Sequence, residues 1–242
     1  MPSIIPPLDS AARADGLRIA LFPPALPRPG EATLAGLLDE ELQRSSPDFG
    51  RLAARWGQIS NACECPVVAR AVRWLGEHGM PAPDDAFGPG LGAAVVTVGM
   101  ATRLAHQPRN LYSGVYYAAR LLDPSALGWF AALVAAATAR CFLQGRRDFV
   151  ADVLDVLLSN DAPAELVTQL RQVPVWSRPS IGEPIHDLVR ELDQVLRTLY
   201  HQGVPERARQ EIDRQAPSAR RLGRALLAAR DGWSAETARA ER

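Results

Sequence analysis

Ala126–Leu143 reads ALGWFAALVAAATARCFL, an apolar run without proline. It has about the minimum length for a membrane span. Alanine is only weakly lipophilic, however, and Arg140 interrupts the run, so the segment reads as the buried central helix of a globular protein. A helix that is apolar on every side needs neighbours on every side. The sequence around it supplies them. Leu34, Leu37, Leu38 and Leu42 repeat at three- and four-residue spacing, as do Phe49, Leu52, Ala53 and Trp56 after the start signal Ser46-Pro47-Asp48. Val68, Ala71, Val72 and Leu75 continue the pattern, and Ile185, Leu188, Val189, Leu192, Val195, Leu196 and Leu199 form another stripe. Each spacing places apolar groups on one helical face. Helices are also expected over Leu91–Ala105, Arg147–Ser159 and Ala164–Val173. Asp123-Pro124 is read as the start of the central helix, with aspartate as cap and proline in the first turn. The expected fold is all-α, a single multi-helix domain.

The ends differ from this middle. Seven prolines fall in the first 30 residues, and proline removes donors and fixes φ. Residues 1–29 are therefore expected to be an extended arm holding at most a short strand at Leu17–Phe22, with the helical domain over 30–203. Residues 204–242 carry nine arginines, six acids and few large apolar groups, which reads as one or two surface helices or a tail.

The 242-residue chain has 27 basic and 27 acidic side chains and no net charge. That balance argues against general binding to nucleic acid or to a membrane surface. Every cation is arginine, and there are 39 alanines, a bias typical of a GC-rich bacterial genome. Three cysteines cannot form a disulfide framework, and no secretion signal is evident, so a cytoplasmic location is expected.

Several groups could carry chemistry. Gly88-Pro89-Gly90-Leu91-Gly92 precedes a helix and could present amides to an anion, but it lacks the lysine of a phosphate loop. Cys63-Glu64-Cys65 has no second thiol pair or nearby histidine to complete a metal site, and His78, His106, His186 and His201 are scattered. Asp84-Asp85 resembles the start of an aspartate-rich diphosphate motif, yet Phe87-Gly88 follow where a third aspartate belongs. Glu183, Asp187 and Glu191 share a helical face and read as a solvated, salt-bridged surface. Tyr112 and Tyr116 lie one turn apart, with Tyr117 adjacent, and could line a pocket with ring faces.

The order of these pieces resembles the ADP-ribosylglycohydrolase family, all-α enzymes that use two magnesium ions to cleave a glycosidic bond to ADP-ribose. Gly30–Leu42 (GEATLAGLLDEEL) resembles the family's helix led by Asp-Asp-Thr, and Leu52–Trp56 its Arg–Trp helix. Gly88–Met100 (GPGLGAAVVTVGM) is similar to its Gly-Asn-Gly segment, and Asp123–Gly145 to its Asp-Pro and alanine-rich helix. The departures fall on the ligands. Gly30-Glu31-Ala32 stands where the family has the Asp-Asp-Thr that binds magnesium, Pro89 replaces the asparagine, and the Thr-His before Asp-Pro is absent. The Asp-x-Asp-Thr cluster near the family's C-terminus has no counterpart. One glutamate cannot replace two acidic clusters around near-octahedral magnesium.

The resemblance therefore implies a repurposed small-molecule enzyme or binder without metal or other cofactor. Its expected catalytic groups are His106, Asp84 and Asp85, with Gly88, Gly90, Tyr112, Tyr116 and Glu31 contacting the ligand. The alternatives are a non-catalytic pseudoenzyme that meets a protein partner through its termini, and a surviving ADP-ribose hydrolase.

Overall fold

A computed structural model describes residues 10–21, 30–59, 63–175 and 186–232. The architecture is all-α, and no strand occurs among the described residues. The helices are α1 (Ser10–Leu21), α2 (Gly30–Leu42), α3 (Phe49–Trp56), α4 (Pro66–His78), α5 (Gly92–Thr97), α6 (Ala101–Leu104), α7 (Pro108–Leu122), α8 (Ala126–Leu143), α9 (Val150–Leu158), α10 (Ala164–Gln172), α11 (Asp187–His201), α12 (Pro205–Asp213) and α13 (Pro217–Asp231). A 3₁₀ turn at Val98–Met100 joins α5 to α6, so the run expected as one helix from Leu91 is helical but changes to 3₁₀ in its middle.

α8 is the axis. α5, α7, α9 and α13 pack around it, and its Ala131, Ala132, Ala135, Ala136 and Ala139 are fully buried. Small side chains let these neighbours approach closely, which explains why an 18-residue apolar helix can sit inside a helical fold. It is the one helix among the described residues long and apolar enough to cross a membrane, and most of it is buried inside the protein.

The local signals explain most boundaries. Asp48 caps α3 by accepting from Gly50 N at 2.8 Å and Arg51 N at 3.2 Å, satisfying donors the helix cannot. Trp56 is fully buried and its indole N–H donates to Leu34 O at 3.1 Å, fastening α3 to α2. α8 corrects the expected start. Its cap is Ser125, whose Oγ accepts from Gly128 N at 3.0 Å, while Asp123 stands outside the helix and holds Ser125.

Two further expectations are overturned. Ser10–Leu21 is a helix, not extended chain or a strand; Phe22 lies outside the described residues. The prolines flank this segment at Pro6-Pro7 and Pro23-Pro24, and none falls inside it. Leu17 and Leu21, four residues apart, are buried; α1 packs chiefly against α13, and Leu21 lies beside Gly99 of the 3₁₀ turn. Arg13 also donates to Phe142 O at the end of α8, at 3.2 Å. α13, in turn, is no surface helix. Its Leu222, Ala225, Leu226 and Ala229 are buried against α1, α8 and α11.

Candidate functional site

The corner that the family resemblance points to lies where α2, the start of α4, the glycine loop and α13 meet. Glu31, in the first turn of α2, is only 3% exposed. Its Oε1 accepts from Cys65 N at 2.7 Å, and its Oε2 accepts from Arg221 Nη1 at 3.1 Å. The other arginine nitrogen, Nη2, donates to Glu64. Cys65 precedes Pro66 at the start of α4, where exposed amides and the helix dipole favour a carboxylate. The Cys63 thiol beside it is pushed up to about 12, first by burial and then by Glu31 and Cys65.

The glycine loop packs on the other side of Cys65. A Cβ on Gly92 would meet Cys65 Sγ at 2.7 Å and Val68 Cγ2 at 2.5 Å, so this close approach requires glycine. Gly90 turns its amide inward and donates to Asp123 Oδ2 at 2.8 Å. Asp123 is completely buried, and its Oδ1 accepts from Ser125 N at 3.0 Å and Ser125 Oγ at 2.6 Å. Burial raises its pKa, and the bonds from Ser125 and Gly90 oppose that rise. A Cβ on Gly128 would land on this carboxylate. The two buried acids of this corner, Glu31 and Asp123, are thus each held by the protein's own donors.

Beside it lies a second group. Asp85 occupies a turn at φ 58°, and its N–H reaches Pro124 O at 3.5 Å. Asp84, on the surface, pairs with Arg120 at 2.5 Å, and Arg120 Nη1 donates to the Tyr116 hydroxyl at 3.1 Å. Tyr116 stands edge-on to Trp129 with ring centroids 5.0 Å apart. Tyr117, 55% exposed, lies between Tyr116 at 5.4 Å and Phe49 at 5.8 Å. Four aromatic rings from α3, α7 and α8 therefore form one row, with the Arg120 guanidinium beside Tyr116 in its middle.

Gly90, Asp85, Asp84 and Tyr116 are linked through Asp123, Pro124 and Arg120, with Gly88 in the same loop at φ 70°. Glu31 joins them through Cys65. Tyr112 does not belong to this group. It lies by Arg140, Cys141 and Asp152, where burial raises its pKa. Asp152 there binds Arg140 at 3.4 Å and also Arg146, which ties α8 to α9. His106 is exposed beyond α6 and has no hydrogen-bond or ion-pair partner among the described residues. Glu183 lies outside them, and Asp187 pairs with Arg190 at 3.1 Å on the surface. Sequence reasoning missed Arg221, Arg120 and the carboxylate role of Asp123. Only Asp123, beside Pro124, carried any local signal.

This architecture is an ADP-ribosylglycohydrolase-like fold. The chain superposes on a solved protein described as an ADP-ribosylglycohydrolase-related protein complex with a TM-score of 0.69 and 18% identity, over 93% of this chain and 89% of that one. No protein-family model and no curated protein matches the sequence.

The magnesium pair that the sequence resemblance implies does not fit these side chains. Among the described residues, no three His, Cys, Asp or Glu side chains converge as ligands. Both oxygens of Glu31 already serve Cys65 and Arg221. A cation entering here would have to displace a guanidinium.

Proposed function

We propose that this protein is an ADP-ribosylglycohydrolase-like protein that has left the magnesium-pair chemistry and works in the cytoplasm as a metal-independent enzyme or binder of a small planar molecule. The observation that carries this reading is the state of Glu31. Its carboxylate is a joint between α2, α4 and α13, with both oxygens engaged. Fold alone does not dictate activity, and here the corner that would hold the ions is built as structure.

The face beside that corner supports the small-molecule part. Tyr116 and Trp129 offer fixed, half-buried rings, Arg120 lies 5.8 Å from the Tyr116 centroid, and Asp84 stands exposed next to it. Such a face can stack one flat ring and accept hydrogen bonds from its edge. A second reading, a non-catalytic protein acting through protein contacts, draws on the same row. It continues to exposed Tyr117 and half-buried Phe49, and exposed aromatic rings suit interfaces.

Thermal unfolding with ADP-ribose, in magnesium and then in chelator, tests the carrying observation. A ligand at 100 times its dissociation constant adds about 2.7 kcal/mol. The expected result is no difference between the two conditions; a magnesium-dependent shift overturns the proposal. Adenosine, as a planar probe, is expected to bind the wild type and to lose binding in Tyr116→Ala. Absence of binding by adenosine and similar flat rings moves the balance to the contact reading.

A further inference from the structure

A separate cleft lies at the far end of α8. With 18 residues at about 1.5 Å each, α8 puts roughly 27 Å between this end and Asp123. There the turn into α9 meets the last turns of α11 and α13 around an open cleft of about 300 Å³, walled by Arg147, Asp148, Leu199, Tyr200, Gln202 and Arg230. The size is at the lower end of small-molecule sites, enough for one ring and a substituent. At the mouth stands Gly203, where an added Cβ would meet nothing within 4 Å.

The polar groups of the cleft divide into spent and unspent. Arg230 is spent. Its Nη1 donates to Leu199 O at 2.6 Å and Gln202 O at 2.8 Å, closing the end of α11, and its Nε and Nη2 grip Asp231 at 2.9 and 2.6 Å. The floor is thus neutral. Asp148 Oδ1 accepts from Val150 N at 3.3 Å at the start of α9. Arg147 is unspent: it is exposed and has no hydrogen-bond or ion-pair partner among the described residues. Its neighbour Arg146, by contrast, is bound to Asp152. Tyr200 is half-buried and held edge-on by Phe149, with centroids 5.9 Å apart and planes at 81°.

We infer that this cleft binds a small monocarboxylate with a flat apolar body. Arg147 takes the carboxylate through its two-pronged guanidinium, and the Tyr200 ring with Leu199 takes the body. Arg147 is the one arginine lining the cleft that no carboxylate among the described residues pairs, so a single carboxylate is what it can take. A phosphate dianion would bring its second charge against Asp148 at the same mouth, and Arg230 offers nothing further because Asp231 already neutralises it. The site is independent of the Tyr116 face and of the Glu31 corner, so it stands or falls separately from the function proposed above.

Benzoate is the probe, titrated into the full chain by calorimetry, with methyl benzoate and phenyl phosphate as the uncharged and dianionic comparisons. Saturable millimolar binding of benzoate is expected, with methyl benzoate inert and phenyl phosphate weaker. Arg147→Gln removes no contact of the fold, so its unfolding temperature stays unchanged while benzoate binds about tenfold more weakly, about 1.4 kcal/mol. Tyr200→Leu weakens benzoate as well. No saturable benzoate binding, equal binding to Arg147→Gln, or tighter binding of phenyl phosphate each overturns the inference.

Discussion

Arg221→Ala is the most informative single change. It removes the partner of Glu31 Oε2 and leaves a carboxylate that is 3% exposed with only the Cys65 N–H. Breaking a buried ion pair from one side costs about 3–5 kcal/mol, because the remaining charge is uncompensated. Two features reduce that figure. The Arg221 side chain is 26% exposed, so water partly enters its place, and the amide bond from Cys65 persists. The expected loss is about 2–3 kcal/mol, a fall in Tm of roughly 5–10 °C at about 2–4 °C per kcal/mol for a chain of this size. Glu64→Gln supplies the contrast. Its side chain is 47% exposed, and an exposed pair is worth less than about 1 kcal/mol. The double change Glu31→Gln with Arg221→Met removes both charges and is expected to recover most of the loss. Urea unfolding of the four proteins measures this directly. If Arg221→Ala stays within about 0.5 kcal/mol of wild type, or if Glu64→Gln costs as much, the Glu31–Arg221 joint does not carry the corner.

Three other outcomes follow from named contacts. Gly128→Ala drives a methyl group into the buried Asp123 carboxylate, which Gly90 and Ser125 hold in place. A loss of about 3 kcal/mol or more is expected in chemical unfolding. Glu41 is held down to about 2 by hydrogen bonds from Arg51, against an ordinary value of 4.5. The unfolded chain therefore takes up the proton first, so the stabilisation is complete above about pH 4.5 and is lost as pH falls toward about 2; in Glu41→Gln this part of the acid limb of the unfolding midpoint is flattened. Cys63 and Cys141 are both pushed up to about 12, chiefly by burial. Native protein at neutral pH is thus expected to react with a disulfide reagent far more slowly than protein in denaturant.

Much of the helical plan was legible because apolar spacing is a local property. The stripes around Leu34, Leu52, Val68 and Leu192 became α2, α3, α4 and α11, and the alanine-rich run became the buried axis. The errors arose where composition was averaged over a segment. Prolines on both sides hid the proline-free Ser10–Leu21, and arginines hid the buried face of α13, where Leu222, Ala225, Leu226 and Ala229 follow helical spacing.

The site was legible only in its raw materials. Glu31 stands in the sequence where the resemblance places the family's leading acidic cluster, but its partner lies 190 residues away in an arginine-rich stretch. No periodicity selects Arg221 from the other arginines there. Tyr112 and Tyr116 share a helix, yet one is drawn toward Arg140 and the other toward Trp129, because α8 presents different groups at its two ends. Helical spacing gives a shared face, and the neighbouring helix decides what each position on that face touches.

The most direct measurement is a titration of the wild-type protein with manganese, followed by the paramagnetic resonance of the free ion as a stand-in for magnesium. An engaged Glu31 predicts that all added manganese stays free, with no stoichiometric binding. Stoichiometric binding that disappears in Glu31→Gln would mean that the carboxylate releases Arg221 to hold a metal, and would contradict the account at its centre.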